Sequence, residues 1–326
     1  MIKFLVIRFS SIGDIVLTTP VVRLIKEQII DSEVHYLTKQ EYFGIVKNNP
    51  NIDKVHLLNS NNETELIEEL KKEGFDHIID LHKNLRTRKI KRKLQVPDFS
   101  FDKLNYKKWI LVNFKKDNMP KVHIVDRYID TLRVFDVTND GNGLDYFLEE
   151  KDYYSIPNIN IDEKFVAIVI GAKHSTKRLP DNQIIKLIKG LSFRVILLGG
   201  KEDIPSSEII TKSSSKNILN LCGKINLNQS ASVIKQSSFV VSNDTGLMHI
   251  ASAFKKDIVS VWGNTVPEFG MYPYKAGKNS SIFEVKGLKC RPCSKIGFNK
   301  CPKKHFKCMN DINIDSVSEY ITKVLK

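Results

Sequence analysis

Ser242-Asn243-Asp244-Thr245-Gly246-Leu247-Met248-His249 follows an apolar run, Phe239-Val240-Val241, and runs into the helical pattern Ile250-Ala251-Ser252-Ala253. An Asp, a Thr and a Gly therefore stand where a strand ends and a helix begins. The first N–H groups of a helix have no carbonyl one turn earlier, and they attract anions. Gly lets a ligand approach the backbone closely. Polar residues at the carboxyl edge of a parallel sheet are where open α/β folds bind ligands. Helix capping accounts for one of these residues, and leaves the rest of the cluster for another purpose.

Working outward from it, strand-like and helix-like segments alternate along the whole chain. Residues 2–9, Val34–Leu37, Lys54–Leu57 and His77–Leu81 read as strands, with helical spacing from Ile15 to Ile29 and from Glu63 to Glu73. Residues 150–162 read as a linker. The pattern restarts with strands at Phe165–Ile170, Arg194–Leu198, Phe239–Val241 and Ile258–Trp262, and helices at Asp181–Gly190, Glu208–Lys212 and Ile314–Leu325. Such alternation predicts parallel sheets and an α/β fold made of two Rossmann-like halves. The expected domains are 1–155 and 163–312, with a terminal helix, 313–326, packing back on the N-terminal domain.

The 326 residues suffice for two cores, and 41% hydrophobic with 27% charged residues is ordinary for a globular protein. No apolar run reaches the roughly 18 residues of a membrane span. Met1–Arg8 reads as a buried strand rather than a signal segment, so the expected location is cytoplasmic. The net charge of +14 is uneven. Twelve Lys or Arg face two Asp between Lys83 and Lys116, and six face no acid between Cys290 and Met309. Such clustering favours an anionic partner or an anionic membrane leaflet. A non-enzymatic nucleic-acid binder would rest on this charge alone and would leave the strand-end loops unexplained. The chain has neither G-x-G-x-x-G after its first strand nor a P-loop, which disfavours those two nucleotide sites.

Three further loops carry chemistry. Asp14, in Ser10-Ser11-Ile12-Gly13-Asp14, is either a helix cap or a general base. Gly171-Ala172-Lys173-His174-Ser175-Thr176-Lys177-Arg178-Leu179-Pro180 follows a strand with four basic residues and two hydroxyls, suiting a diphosphate. Gly199-Gly200-Lys201-Glu202-Asp203 also follows a strand, and an acid there suits ribose hydroxyls. Cys290, Cys293, Cys301 and Cys308 are spaced so that four thiolates could ligate one structural zinc; Cys222 stands apart as a core residue.

Ser11–Pro20, Thr176–Pro180 and Asp244-Thr245-Gly246-Leu247-Met248-His249, in that order and spacing, resemble glycosyltransferase family 9, the ADP-heptose:lipopolysaccharide heptosyltransferases. The resemblance covers nearly the whole chain. It implies a GT-B fold, two Rossmann-like domains with a ligand cleft between them, the acceptor on the first and the sugar nucleotide on the second. By position it implies Asp14 as catalytic base of an inverting, metal-independent transfer, with no cofactor required. Thr176 and Lys177 would hold the diphosphate, Glu202 the ribose, Asp244 the sugar hydroxyls, and the Thr245, Gly246 and Leu247 N–H groups the phosphates. His249 belongs to the motif, either as a ligand contact or as a buried packing residue. Ser11, Gly13, Lys83 and Arg86 would border an anionic glycolipid acceptor, and the basic stretch to Lys116 would rest on the inner leaflet. No specific nucleic-acid partner is implied. Where many members carry Trp before the loop's Pro, this chain has Leu179. A GT-B enzyme with another donor, or an epimerase, is the alternative.

Overall fold

The computed structural model describes residues 1–59, 61–160, 163–214 and 218–326, so residues 161 and 162 of the expected linker lie outside the described residues. The chain divides into two α/β units: Met1–Lys103 with Val122–Glu149, and Leu104–Lys121 with Glu150–Lys326.

The first unit holds β1 (Ile2–Ile7), β2 (Ser32–Lys39), β3 (Lys54–Leu58), β4 (His77–Asp80) and β5 (Asp98–Ser100), in the spatial order β3-β2-β1-β4-β5. Every pairing is parallel. Four consecutive residues of β1, Phe4 to Ile7, are buried, as expected for a strand covered by helices on both faces. The helix expected from Ile15 to Ile29 is two helices, Ile12–Val16 and Thr19–Gln28. The Thr18 and Thr19 hydroxyls donate to the Ile15 and Val16 carbonyls at 2.7 and 2.8 Å, and Pro20 sits in the first turn of the second helix. Side-chain hydroxyls competing for the backbone, followed by a proline suited to a helix start, make the break.

The second unit holds β6 (Phe165–Val169), β7 (Arg194–Leu198), β8 (Ile218–Asn220), β9 (Phe239–Asn243), β10 (Ile258–Trp262) and β11 (Ser281–Glu284), ordered β11-β10-β9-β6-β7-β8 and again parallel throughout. Each of the two sheets is thus the parallel sheet of one Rossmann-like α/β unit, as expected.

Two boundaries differ from the expected ones. Leu104–Lys121 belongs to the second unit, because Leu111 packs on Val266 and Phe269 and Lys115 Nζ donates to the Pro292 carbonyl at 2.6 Å. The terminal helix Ile314–Leu325 falls in the second unit and packs on the helix Asp181–Gly190 there. Its apolar stripe, Ile314, Val317, Ile321 and Leu325, enters one core with Ile184, Leu187 and Ile188. Helical spacing of the apolar residues dictates the stripe but not the surface it meets. Ile321→Ala is expected to cost about 2–5 kcal/mol through lost burial and the cavity left behind. Denaturant unfolding checks this, and an unchanged midpoint would mean the helix is dispensable to that core.

Candidate active site

In an open parallel sheet, the crevice forms where neighbouring strands send their connections to opposite faces. In the first unit that point lies between β1 and β4, flanked by β2 and β5. Asp14 follows β1, and His82 and Lys83 follow β4. Asp14 Oδ2 accepts from the Ser11 N–H at 3.1 Å and from the Ser11 hydroxyl at 2.8 Å, while Oδ1 meets Arg8 Nη2 at 2.7 Å. The capping contact is therefore real, and a buried arginine fixes the other oxygen. Arg8 also donates to the carbonyls of Ser10 and Leu81 and, at 2.9 Å, to the Tyr128 hydroxyl. Burial alone would lower its pKa; the Asp14 charge, with smaller pulls from Tyr128 and Tyr36, reverses the balance and raises it.

His82 packs beside Phe9, ring centroids 5.0 Å apart. Burial first, then the charges of Arg8 and Lys103, push its pKa down to about 4. The unfolded value is about 6.5, so between those limits the unfolded chain takes a proton the folded chain refuses. Stability should therefore fall as pH drops from 6.5 towards 4. His82→Asn should flatten that part of a Tm-against-pH curve; an unchanged slope would place the acid sensitivity elsewhere.

Lys103 is also lowered, by burial first and then by Arg8, with Lys83 adding to the repulsion. Arg8 and Lys103 thus place positive charge around Asp14, with Lys83 beside Lys103. The Lys83 ammonium is held at 3.1 Å by the Phe101 carbonyl. Gly13 is buried within the first helical turn, whose cap is Ser11. Arg86 is not brought to this group; its guanidinium lies 3.6 Å from Glu63 on the neighbouring helix. A groove of about 830 Å³ opens along the helix Leu85–Leu94, which carries Arg86, and is lined by Asp80, Lys83, Asn84, Arg88, Lys91 and Arg92 among others.

In the second unit the corresponding point lies between β6 and β9. Asn243, at the end of β9, joins three segments: its amide donates to the Val169 and Ile170 carbonyls at 3.3 and 3.2 Å, and its oxygen accepts from the Leu179 N–H at 3.1 Å. The loop after β6 is thereby registered against the loop after β9. Lys177 Nζ meets Asp244 Oδ2 at 2.5 Å, and the Thr265 hydroxyl, from the loop after β10, donates to the same oxygen at 3.0 Å. Thr245 is the extended N-cap of the helix Gly246–Ala253, so the first-turn N–H groups open beside this cluster. His249 is buried.

The loop after β7 is locked differently. Gly200 N–H donates to Asp203 Oδ2 at 2.8 Å, and Arg178 pairs with Oδ1 at 2.8 Å. Burial raises the Asp203 pKa most, partly offset by those two contacts. A Cβ on Gly171 would lie 2.1 Å from Asp203 Oδ2, so only glycine fits there. Exposed Glu202, the expected ribose acid, is the neighbour of this structural aspartate. Thr176 is buried, and its hydroxyl both donates to the Phe298 carbonyl and accepts from its N–H, at 3.0 and 2.8 Å. That hydroxyl braces the loop from beneath.

The same cysteine-bearing segment braces the site twice more: Cys293 N–H donates to the Asn264 carbonyl at 3.1 Å, and Arg291 to the Thr265 carbonyl at 2.9 Å. Its thiols sense one another. Cys293 is pushed up to about 11 and Cys308 to about 12, by burial first and then by neighbouring cysteines. A divalent cation relieves both effects, so the donor set suits a metal. No three of their sulfurs lie within 4.8 Å of one another; among the described residues that condition is met by His35, His56 and Glu73.

No site role followed from residue order for Arg8, His82, Lys103, Asn243 or Thr265. A charged residue directly after a fully apolar strand was a usable signal for Arg8. Lys103 and Thr265 carried none, because they reach their sites from separate strand ends.

Residues 64–302 match the model of glycosyltransferase family 9 (heptosyltransferase). Lipopolysaccharide heptosyltransferase 1 of Campylobacter coli is 23% identical over 290 residues, 81% of this chain and 84% of that protein. Among solved structures, a family 9 glycosyltransferase from Veillonella parvula superposes with a TM-score of 0.79 at 21% identity, covering 99% of this chain and 97% of its own. E. coli ADP-heptose lps heptosyltransferase II superposes with a TM-score of 0.76 at 18% identity, covering 99% and 98%.

Proposed function

Because this chain belongs to glycosyltransferase family 9, we propose that it is an inverting, metal-independent transferase moving heptose from ADP-heptose onto an anionic lipopolysaccharide core or related surface glycolipid. The observation that carries this reading is the Lys177–Asp244–Thr265 cluster at the β6/β9 switch point, beside an open helix start. A cation, a carboxylate and unpaired N–H groups in one place suit a diphosphate joined to a sugar. The family relatives support the donor, since one solved structure is described as an ADP-heptose enzyme.

In this reading the Asp14 carboxylate takes the proton of an acceptor hydroxyl as that oxygen attacks the anomeric carbon. The bond to the ADP oxygen breaks on the opposite face, inverting the centre. Arg8 and Ser11 hold Asp14 in place for this. Lys177 and the first-turn N–H groups of Thr245, Gly246 and Leu247 stabilise the charge that grows on ADP. Glu202 binds the ribose. Arg8, Lys83 and Lys103 suit phosphate or carboxylate groups on the acceptor.

The enzyme works at the cytoplasmic face of an anionic membrane. Among the described residues, no helix is long and apolar enough to cross one. The helix Asn105–Phe114 instead exposes Tyr106 (73%) and Trp109 (48%), with Phe114 (60%) at its end, flanked by Lys107, Lys108, Lys115 and Lys116. Exposed aromatic rings among lysines suit a headgroup layer. Trp109→Ala with Phe114→Ala should reduce co-sedimentation with anionic vesicles while leaving transfer to a soluble acceptor intact; undiminished binding would remove this helix from the contact.

The four thiols of the C-terminal segment, Cys290, Cys293, Cys301 and Cys308, would draw together to hold a structural zinc that stiffens the segment bracing Thr176 and Thr265. Cys290→Ser with Cys293→Ser should lower the metal content of purified protein by one zinc per chain. The reading as a whole is tested by thermal stabilisation with ADP, UDP, GDP, CMP and NAD, followed by transfer assays with ADP-heptose. ADP at about 100 times its Kd should stabilise by about 2.7 kcal/mol. A response to UDP or GDP alone would retain the fold and overturn the donor.

A further inference from the structure

His35 and His56 lie mid-way along β2 and β3. His35 stands opposite Lys54, and Leu37 opposite His56, so the two histidines are diagonal neighbours on one sheet face. The helix Glu63–Glu73 covers that face, and both imidazoles are fully buried, at 0% exposure. His35 Nε2 lies 2.6 Å from Glu33 Oε1, and His56 Nδ1 lies 3.0 Å from Glu69 Oε1. A carboxylate accepts and does not donate, so the hydrogen sits on each of those ring nitrogens.

The inner nitrogens, His35 Nδ1 and His56 Nε2, face each other at 2.9 Å. In neutral rings with those tautomers both present lone pairs, which repel unless a cation lies between them. That cation is an added proton or a metal ion. Glu73 points to the metal: its Oε2 lies 3.9 Å from His35 Nδ1, and the three donor atoms lie within 4.8 Å of one another. Its charge would steady a shared proton too, but only a metal takes the carboxylate as a third ligand.

We propose that His35, His56 and Glu73 form a structural binding site for zinc or a similar first-row divalent cation, separate from the transfer site. Two imidazoles and a carboxylate are a donor set that zinc accepts. At a Zn–N distance of about 2.0–2.1 Å the nitrogens need a separation of about 3.3 Å, so the rings part by a few tenths of an ångström. Glu33 and Glu69 orient the ligating rings, as carboxylates behind metal-bound histidines do. Lys54, now paired with Glu73 and half-exposed, turns to solvent as the metal takes the carboxylate. Occupied, the site ties edge strand β3 to β2 and to the helix above them.

The test compares the full-length protein with Glu69→Gln, Glu73→Gln and His56→Gln, each stripped with chelator, incubated with ZnCl2, desalted and analysed for metal. The cysteines are common to all four, so the difference reports this site alone. Wild type should hold one zinc more per chain than His56→Gln, and zinc should raise its Tm where the variant shows a smaller rise. Glu69→Gln, at a side chain 53% exposed, should fold normally and bind about 10–100-fold more weakly. Should His56→Gln fail to fold, the two Glu variants decide. Equal zinc content, affinity and Tm shift across wild type and those variants would overturn the site and leave a shared proton between the rings.

Discussion

Asp14→Asn should reduce transfer by about 10²–10⁴-fold, the usual worth of a positioned general base, while ADP affinity stays near that of wild type. The separation is expected because Asp14 belongs to the first unit and touches Ser11 and Arg8 there, whereas Lys177, Asp244 and Thr265 belong to the second. Asn keeps an oxygen to accept from the Ser11 N–H, so the helix start survives, but it cannot take a proton and loses the Arg8 ion pair. Kinetics with saturating donor, ADP titration and a melting curve should be measured on the same sample. A loss of ADP binding equal to the loss of rate would make Asp14 structural. Retained transfer would move the base elsewhere.

Lys177→Ala should cost about 10²–10³-fold in rate, as removing one preorganised donor to developing charge does, and should weaken ADP binding as well. Two effects add. The diphosphate loses its cation, and Asp244, whose oxygen lies 2.5 Å from Lys177 Nζ, is left as an uncompensated charge beside a polyanion. The second effect has a signature: adding Asp244→Asn to Lys177→Ala should recover part of the ADP affinity while transfer stays low. Full recovery of both would mean that Lys177 serves only to neutralise Asp244. Wild-type ADP affinity in the single variant would remove Lys177 from the diphosphate site. Lys177→Arg should recover less than a simple charge count suggests, because a planar guanidinium does not replace a point charge near a crowded carboxylate.

The parallel α/β architecture was legible because buried strands of such sheets are written as short apolar runs, as in Phe4 to Ile7 and Val240-Val241, and because polar residues gather directly after them. Asp14 and Asp244 stand at such strand ends, so their neighbourhood followed from chain order alone. Short strands were harder to see. β5, β8 and β11 are edge strands of three or four residues, part-buried and mixed in character, and their pairing comes from neighbours rather than from their own pattern.

What residue order determined by itself is the local chemistry: which segments alternate as strand and helix, and which loops carry Asp14, Lys177 and Asp244. These follow from periodicity and from turn residues a few positions apart. Tertiary structure decided everything that joins distant segments. Arg8 meets Tyr128 across 120 residues, Thr176 meets Phe298 across 122, and Lys177 meets Asp244 across 67. It also sent Leu104–Lys121 and the terminal helix to the second unit and set His35 against His56. Burial is non-directional, so an apolar stripe such as Ile314–Leu325 specifies that it must be covered without saying by what. The choice belongs to the packing of the whole chain.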